Sequence, residues 1–288
     1  MSLEITNSQR AEILTQALPY IQKYNGKVVV IKYGGNAMIN DQLKEQVMKD
    51  IVLLHLIGVK VVLVHGGGPE ITETLKSMGK ESVFYNGLRV TDKETADVVQ
   101  MVLAGKINKS LVNLLQIKGG NSIGLSGLDG HMIHAEMKDE KLGYVGKIVK
   151  IDIKPIVDLL NNDYIPVVST IGCDDSGNVY NINADTAASC IASEMKAESL
   201  ITMTDITGIL MDKDDPSSLI KVTDIKGARE LFKMGIVSGG MIPKVECCID
   251  AIEKGVKKVT ILDGRVPHAL LIETLTDEGA GTMIVKEK

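Results

Sequence analysis

The chain has 288 residues, enough to bury a sizeable core as one large α/β domain or as two lobes. A formal net charge of −5, with seven Tyr, two Phe and no Trp, excludes the basic stripes and stacking platforms of a nucleic-acid surface. No apolar run approaches the roughly 18 residues of a membrane span, and the polar N-terminus lacks a signal-peptide pattern, so a cytoplasmic protein without nucleic-acid or membrane partners is expected.

Residues 8–24 carry an apolar stripe at Ile13, Leu14, Ala17, Leu18 and Ile21, the period of an amphipathic helix, with Ser8 as its cap and Gly26 as its stop. Pro19 inside the pattern predicts a kink or break near Leu18. A helix ahead of the first strand must lay its stripe on the sheet edge or on a partner chain. The run Val28-Val29-Val30-Ile31-Lys32-Tyr33 is apolar and β-branched with no helical period, as a buried strand reads. It ends in Gly34-Gly35-Asn36 and carries a lysine on the strand itself. A helix over 41–57, with Leu43, Val47, Ile51 and Leu54 inward, stops at Gly58.

The same design then returns. Val61-Val62-Leu63-Val64-His65 runs into Gly66-Gly67-Gly68 and Pro69, a residue suited to a first helical turn. Glycines at a strand-to-helix turn let backbone N–H groups approach a ligand with no Cβ in the way, and the helix N-terminus favours an anion. Two such turns, with Lys32 on the strand leading into the first, point to phosphate handling. The βαβα order predicts a parallel sheet with right-handed crossovers.

Asn86-Gly87 marks a hairpin. Thr91 with Glu94 reads as a capping box opening a helix to about Ala104, with a second helix over 106–117 and a strand over 121–125. Residues 131–151 alternate as an antiparallel hairpin, and Asp152 caps a helix with Pro155 near its start. A strand over 165–171 precedes a hairpin turn at 174–178. Asn181-Ile182-Asn183-Ala184-Asp185 leads into a helix over 186–195, where Asp185 taken alone is an N-cap. A strand over 199–204 ends in Asp205-Ile206-Thr207-Gly208-Ile209. A helix over 224–234 and Ser238-Gly239-Gly240-Met241-Ile242-Pro243-Lys244, opening another to about Lys254, follow. A strand at 258–262, a helix at 267–275 and a strand at 282–285 close the chain. One continuous sheet is expected, with two functional halves meeting near residues 160–175.

Cys173 and Cys190 stand alone and Cys247 adjoins Cys248, so no C-x-x-C pair exists and reduced thiols are expected. His131, His134 and Glu136 have metal-ligating chemistry but lie in an alternating stretch without further ligands, and no resident metal is expected there.

The stretches Val30-Ile31-Lys32-Tyr33-Gly34-Gly35-Asn36, Val64-His65-Gly66-Gly67-Gly68-Pro69, Asn86-Gly87-Leu88-Arg89-Val90-Thr91, Asn181-Ile182-Asn183-Ala184-Asp185 and Gly240-Met241-Ile242-Pro243-Lys244, in this order, resemble the amino acid kinase family. The resemblance runs from Lys27 to Val285. It implies an α/β fold, a three-layer αβα sandwich with a mainly parallel central sheet. It further implies an N-terminal helix for oligomerisation (1–26), an N-terminal half binding an acyl amino acid (27–170) and a C-terminal half binding ATP (171–288). The branch it resembles transfers the γ-phosphoryl group of ATP, with Mg²⁺, to the side-chain carboxylate of N-acetyl-L-glutamate, the second step of arginine biosynthesis.

A carboxylate is already ionised at neutral pH, so that chemistry needs no general base. It needs two anions held in line and the charge of the moving phosphoryl group neutralised. Carried over residue by residue, the resemblance makes Lys32 and Lys244 the transition-state lysines and Asp185 the acid that holds them. Backbone N–H groups of Gly35 and Gly67 receive phosphoryl oxygens. Arg89 makes a two-pronged contact with the substrate α-carboxylate, and Gly67, Gly68 and Asn181 complete that pocket. Gly34, Gly35, Thr204, Asp205, Gly208, Gly240 and Lys244 border ATP. No acidic pair stands out for Mg²⁺, which leaves phosphates and water to hold it.

Relatives inhibited by arginine assemble as hexamers, three dimers joined through a kinked N-terminal helix. The match extends to Tyr20, His268 and Glu278 as an allosteric arginine site, although Leu275 stands where phenylalanine is common. Kinases of free glutamate, aspartate, carbamate or uridylate would share the glycine turns. A dinucleotide-dependent oxidoreductase would need G-x-G-x-x-G, which Gly66-Gly67-Gly68 does not supply, and no Walker-type loop is present.

Overall fold

The computed structural model describes residues 6–38 and 40–287. Helices α1 (Asn7–Gln16) and α2 (Leu18–Tyr24) lead to β1 (Val28–Tyr33), α3 (Asp41–Leu56), β2 (Lys60–His65), α4 (Gly68–Ser77) and the hairpin β3 (Phe84–Tyr85) and β4 (Leu88–Arg89). Next come α5 (Lys93–Gln100), α6 (Asn108–Ile117), β5 (Ser122–Ser126), β6 (Ile133–Met137), β7 (Gly146–Ile151), α7 (Lys154–Asn161), β8 (Ile165–Ser169), β9 (Ile171–Cys173) and β10 (Val179–Asn181). The chain closes with α8 (Ala184–Glu194), β11 (Ser199–Thr204), β12 (Val222–Asp224), α9 (Ile225–Lys233), α10 (Met241–Glu253), β13 (Lys258–Asp263), α11 (Ala269–Leu275) and β14 (Gly281–Val285).

The main sheet has eight strands in the order β12-β14-β13-β11-β1-β2-β8-β5. Every neighbouring pair is parallel except β13 with β14. Helices cover both faces, which is why β1 and β2 read as unbroken apolar runs. Val30, Val62 and Val64 join one core cluster, with α8, α9 and α10. Val29, Ile31, Val61 and Leu63 join the other, with α3, α5 and α6. β1 lies between β2 and β11, so the chain leaves it on one side and returns on the other. That reversal opens a crevice at the carboxyl ends of these strands.

Pro19 separates α1 from α2 at Ala17, as its missing N–H requires. Several local expectations are corrected. Thr6, not Ser8, caps α1, through a reciprocal box with Gln9. Asp92, not Thr91, caps α5, accepting from the Thr95 N–H, while the Thr91 hydroxyl donates to Arg89 O. The two helices expected over 92–117 are one continuous run. Met101–Ile107 widens into a π-helix, so Gly105 loosens the helix without ending it. Asn183 caps α8, which leaves Asp185 inside the first turn and free for other contacts. Asp152 accepts from the Lys154 N–H, but the cap position of α7 belongs to Ile153.

The expected strand 165–171 divides at Thr170. β8 stays in the main sheet, which is continuous across both halves, while β9 enters an additional four-stranded sheet ordered β10-β9-β6-β7. β12 was not expected, being three residues long and too short to show a period.

Candidate active site

The crevice is a cavity of about 660 Å³ lined by both glycine turns, the β3–β4 hairpin, the segment before α8 and the first turn of α10. Lys32 reaches it from the buried end of β1, because a strand sends successive side chains to opposite faces. Lys244 reaches it from α10. The Asp185 carboxylate lies between them, one oxygen 3.0 Å from Lys32 Nζ and the other 2.9 Å from Lys244 Nζ. Burial pushes the Asp185 carboxyl upward, but the two ammonium charges and their hydrogen bonds outweigh it and hold it below the usual carboxylate range. Two cations share one anion, which leaves one positive charge in excess. Lys244 also sits in a first helical turn, where the macrodipole disfavours a cation. That arrangement suits an anionic ligand better than it suits the protein alone.

Arg89 is 7% exposed and its guanidinium is held in place. It donates to Ser82 Oγ, to Gly68 O at 2.9 Å and to Thr72 Oγ1 at 2.8 Å, and stacks 4.9 Å from the Phe84 ring centroid. Ser82, Thr72 and Phe84 carry no motif of their own and were not legible as site residues. Asn181 lines the same cavity, its Nδ2 donating to Thr91 Oγ1 at 3.4 Å.

Gly34, Gly35, Gly67, Gly68, Thr204 and Asp205 line the same cavity as Lys32, Arg89, Asn181, Asp185 and Lys244. Gly208 does not. It lies in an adjoining cavity of about 340 Å³ that shares Asp205 and is lined by Lys213, Ser238, Met241 and Arg265. Gly240 lines a third depression with Asp185 and Lys244. Lys213 and Arg265 were not expected; Arg265 is held two-pronged by Asp263 at 2.9 and 2.8 Å.

The three residues matched to an arginine site lie at the two ends of α11. Tyr20 pairs with Asp277, whose hydrogen bond raises the phenol pKa. Glu278 is exposed beside Asp277. His268 lies at the other end of α11, its Nδ1 2.6 Å from buried Asp50 Oδ1. Among the described residues no group of three or more His, Cys, Asp or Glu could hold a metal, and both oxygens of Asp185 are taken by lysines. The four cysteines are unpaired, and burial pushes the Cys247 thiol up to about 11. No helix among the described residues is long and apolar enough to cross a membrane.

Residues 27–263 match the model of the amino acid kinase family. The chain is 57% identical over 285 residues to the acetylglutamate kinase of Brachyspira hyodysenteriae (strain ATCC 49526 / WA1), covering 98% of this chain and 99% of that one. It is 52% identical over 280 residues to the acetylglutamate kinase of Caldanaerobacter subterraneus subsp. tengcongensis (strain DSM 15242 / JCM 11007 / NBRC 100824 / MB4), covering 96% and 94%. Among solved structures it is similar to N-acetylglutamate synthase from Neisseria gonorrhoeae complexed with coenzyme A and N-acetyl-glutamate, with a TM-score of 0.84 and 25% identity. That match covers 96% of this chain, which spans only 64% of the synthase chain. The chain belongs to the amino acid kinase family and is a kinase.

Proposed function

We propose that this amino acid kinase transfers the γ-phosphoryl group of ATP to the side-chain carboxylate of N-acetyl-L-glutamate, giving N-acetyl-L-glutamyl 5-phosphate and ADP in arginine biosynthesis in the cytoplasm. The observation that carries the reading is the Lys32–Asp185–Lys244 bridge facing Arg89 across one cavity. The identity of 57% and 52% to two acetylglutamate kinases supports the choice of acceptor.

In this reading residues 27–170 hold the acceptor and 171–288 hold ATP. Arg89 meets the α-carboxylate with N–H groups left free by its three protein contacts. Asn181, Gly67 and Gly68 close around the acetylated amino acid. The nucleotide extends past Thr204 and Asp205 into the cavity of Gly208, beside Gly240. The acceptor carboxylate attacks the γ-phosphorus in line and ADP leaves. Lys32 and Lys244 stabilise charge on the equatorial oxygens, assisted by the Gly35 and Gly67 N–H groups. Asp185 keeps the two ammonium groups from repelling each other out of position. The donor set fits Mg²⁺ only as an ion carried on phosphate oxygens and water, where it would neutralise phosphate charge.

Arginine inhibition and a hexameric ring of three dimers belong to the same proposal. No residue of α1 is buried, and Ile13, Leu14 and Leu18 are 53%, 73% and 52% exposed, a stripe that supports a partner helix. Tyr20, His268 and Glu278 are the proposed arginine contacts, with Glu278 the carboxylate available to a cation. Deleting residues 1–24 should give active dimers indifferent to arginine. Light scattering showing truncated hexamers would refute the ring, and full-length enzyme unaffected by arginine would refute the inhibition. The activity itself is tested by comparing N-acetyl-L-glutamate, glutamate, aspartate, carbamate and UMP as acceptors. The acetylated amino acid should lead in kcat/KM, and a preference for any other acceptor would overturn the assignment.

A further inference from the structure

His65 ends β2 and is buried one residue ahead of the glycine turn that walls the cavity. Its ring makes two contacts. Nδ1 lies 3.0 Å from Gly66 O, and Nε2 lies 3.2 Å from Asn108 Nδ2. A carbonyl oxygen only accepts, so Nδ1 carries the proton and Nε2 offers its lone pair to the asparagine amide. The setting of Asn108 agrees with this. Its Nδ2 also faces Val167 O at 2.8 Å and Leu125 O at 3.2 Å, while its Oδ1 accepts from Lys109 Nζ at 3.1 Å. Burial lowers the ring pKa to about 4, so the imidazole stays neutral near pH 7.

The consequence lies in the next peptide bond. It is trans and planar, so the Gly66 carbonyl and the Gly67 N–H point in opposite directions. With Gly66 O turned back to the buried ring, the Gly67 N–H points away from that ring, and Gly67 itself lines the cavity. It meets no protein acceptor among the described residues. The Gly66 N–H is itself fixed by Tyr33 O at 3.0 Å, and Gly67 O accepts from the Ile71 N–H, so the peptide is pinned from both sides.

We propose that His65 is a positioning residue for phosphoryl transfer, its Nδ1–H holding Gly66 O so that the Gly67 N–H is aimed at the transferring group. This rests on the phosphotransfer reading above. A histidine that merely filled the core and satisfied Asn108 would need its Nε2 end and not its Nδ1 end.

The two ends can be tested separately, because asparagine places an amide near the Nδ1 position and glutamine places one near Nε2. His65→Asn should keep kcat within about threefold of wild type. His65→Gln should lose about 10- to 100-fold in kcat with both KM values nearly unchanged, since removing an aimed oxyanion donor outright costs about 10²–10³. Asn108→Ala, which spares the Nδ1 bond, should lower Tm while keeping kcat within about threefold. Equal losses in both His65 variants, or kcat losses that follow Tm across all three, would overturn the proposal. Ring ¹⁵N shifts of wild-type His65 test it without any variant: a protonated Nδ1 is expected, and a protonated Nε2 overturns it. An active wild type beside a fully active His65→Gln overturns this inference alone. A wild type that transfers no phosphoryl group overturns the underlying reading as well.

Discussion

The two glycine turns follow adjacent parallel strands, yet they need glycine for different reasons. Gly35 has φ +72°, with open space where a Cβ would stand. The cost of a side chain there is conformational, about 1–2 kcal/mol. Gly67 has φ 178°, extended backbone that any residue adopts. A Cβ there would collide with Ile107 and come 2.7 Å from Leu103 Cδ2. The first turn is open and stands beside a charge, Lys32. The second is closed from behind by the π-helical stretch that carries Leu103 and Ile107, with His65 and Asn108 beneath it. The same residue type thus serves freedom of backbone at one turn and lack of volume at the other. Substitutions at the two should fail in different ways.

The largest effect is expected on the charged side. Lys32→Ala should lower kcat about a hundredfold or more, with smaller changes in KM, as loss of a transition-state charge donor does. Steady-state kinetics with near-normal kcat would remove Lys32 from the chemistry. On the packed side, Gly67→Ala should lower kcat and also cost about 1–3 kcal/mol in urea unfolding, because the methyl overpacks the wall. Adding Ile107→Val, which removes the methyl nearest the added Cβ, should recover part of the kcat loss; no recovery would show that the wall is not what restricts Gly67.

Arg89→Gln should raise KM for N-acetyl-L-glutamate about tenfold or more and leave the ATP KM near wild type, since a carboxylate contact exists in ground and transition states alike. A defect confined to ATP would place Arg89 on the wrong substrate. The smallest change belongs to the open turn. Gly35→Asn should cost less than Gly35→Val in unfolding free energy, because asparagine tolerates left-handed backbone and a β-branched residue does not. Equal costs would mean that φ is not the constraint there.

Much of this contrast was legible in the chain and some was not. The two apolar runs, their terminal glycines and the parallel order could be read because a strand buried on both faces has a local signature. Pro19 announced the break between α1 and α2 because its effect is confined to its own turn. Lys32, Asp185 and Lys244 are each unremarkable in isolation; the family resemblance of the motifs that carry them implied a common site, and the structure places them within one bridge. The supports of that site were hidden. Thr72, Ser82 and Phe84 hold Arg89 only because a hairpin folds over α4, and no spacing records that. The π-helical turn was misread as a break because Gly105 resembles a terminator, whereas the helix runs through it as the π-helical stretch Met101–Ile107. The division at Thr170 was missed for a similar reason: an apolar run looks the same whether it stays in one sheet or passes to another.

The central claim is that the acceptor carboxylate attacks the γ-phosphorus directly. N-acetyl-L-glutamate labelled with ¹⁸O in its side-chain carboxylate can be incubated with the enzyme, ATP and Mg²⁺, and the product trapped with hydroxylamine. Hydroxylamine attacks the acyl carbon and releases phosphate together with the bridging oxygen. Direct attack therefore predicts a hydroxamate and inorganic phosphate carrying one ¹⁸O from the acceptor. Unlabelled phosphate without hydroxamate would mean that water, and not the carboxylate, receives the phosphoryl group, and would contradict the account.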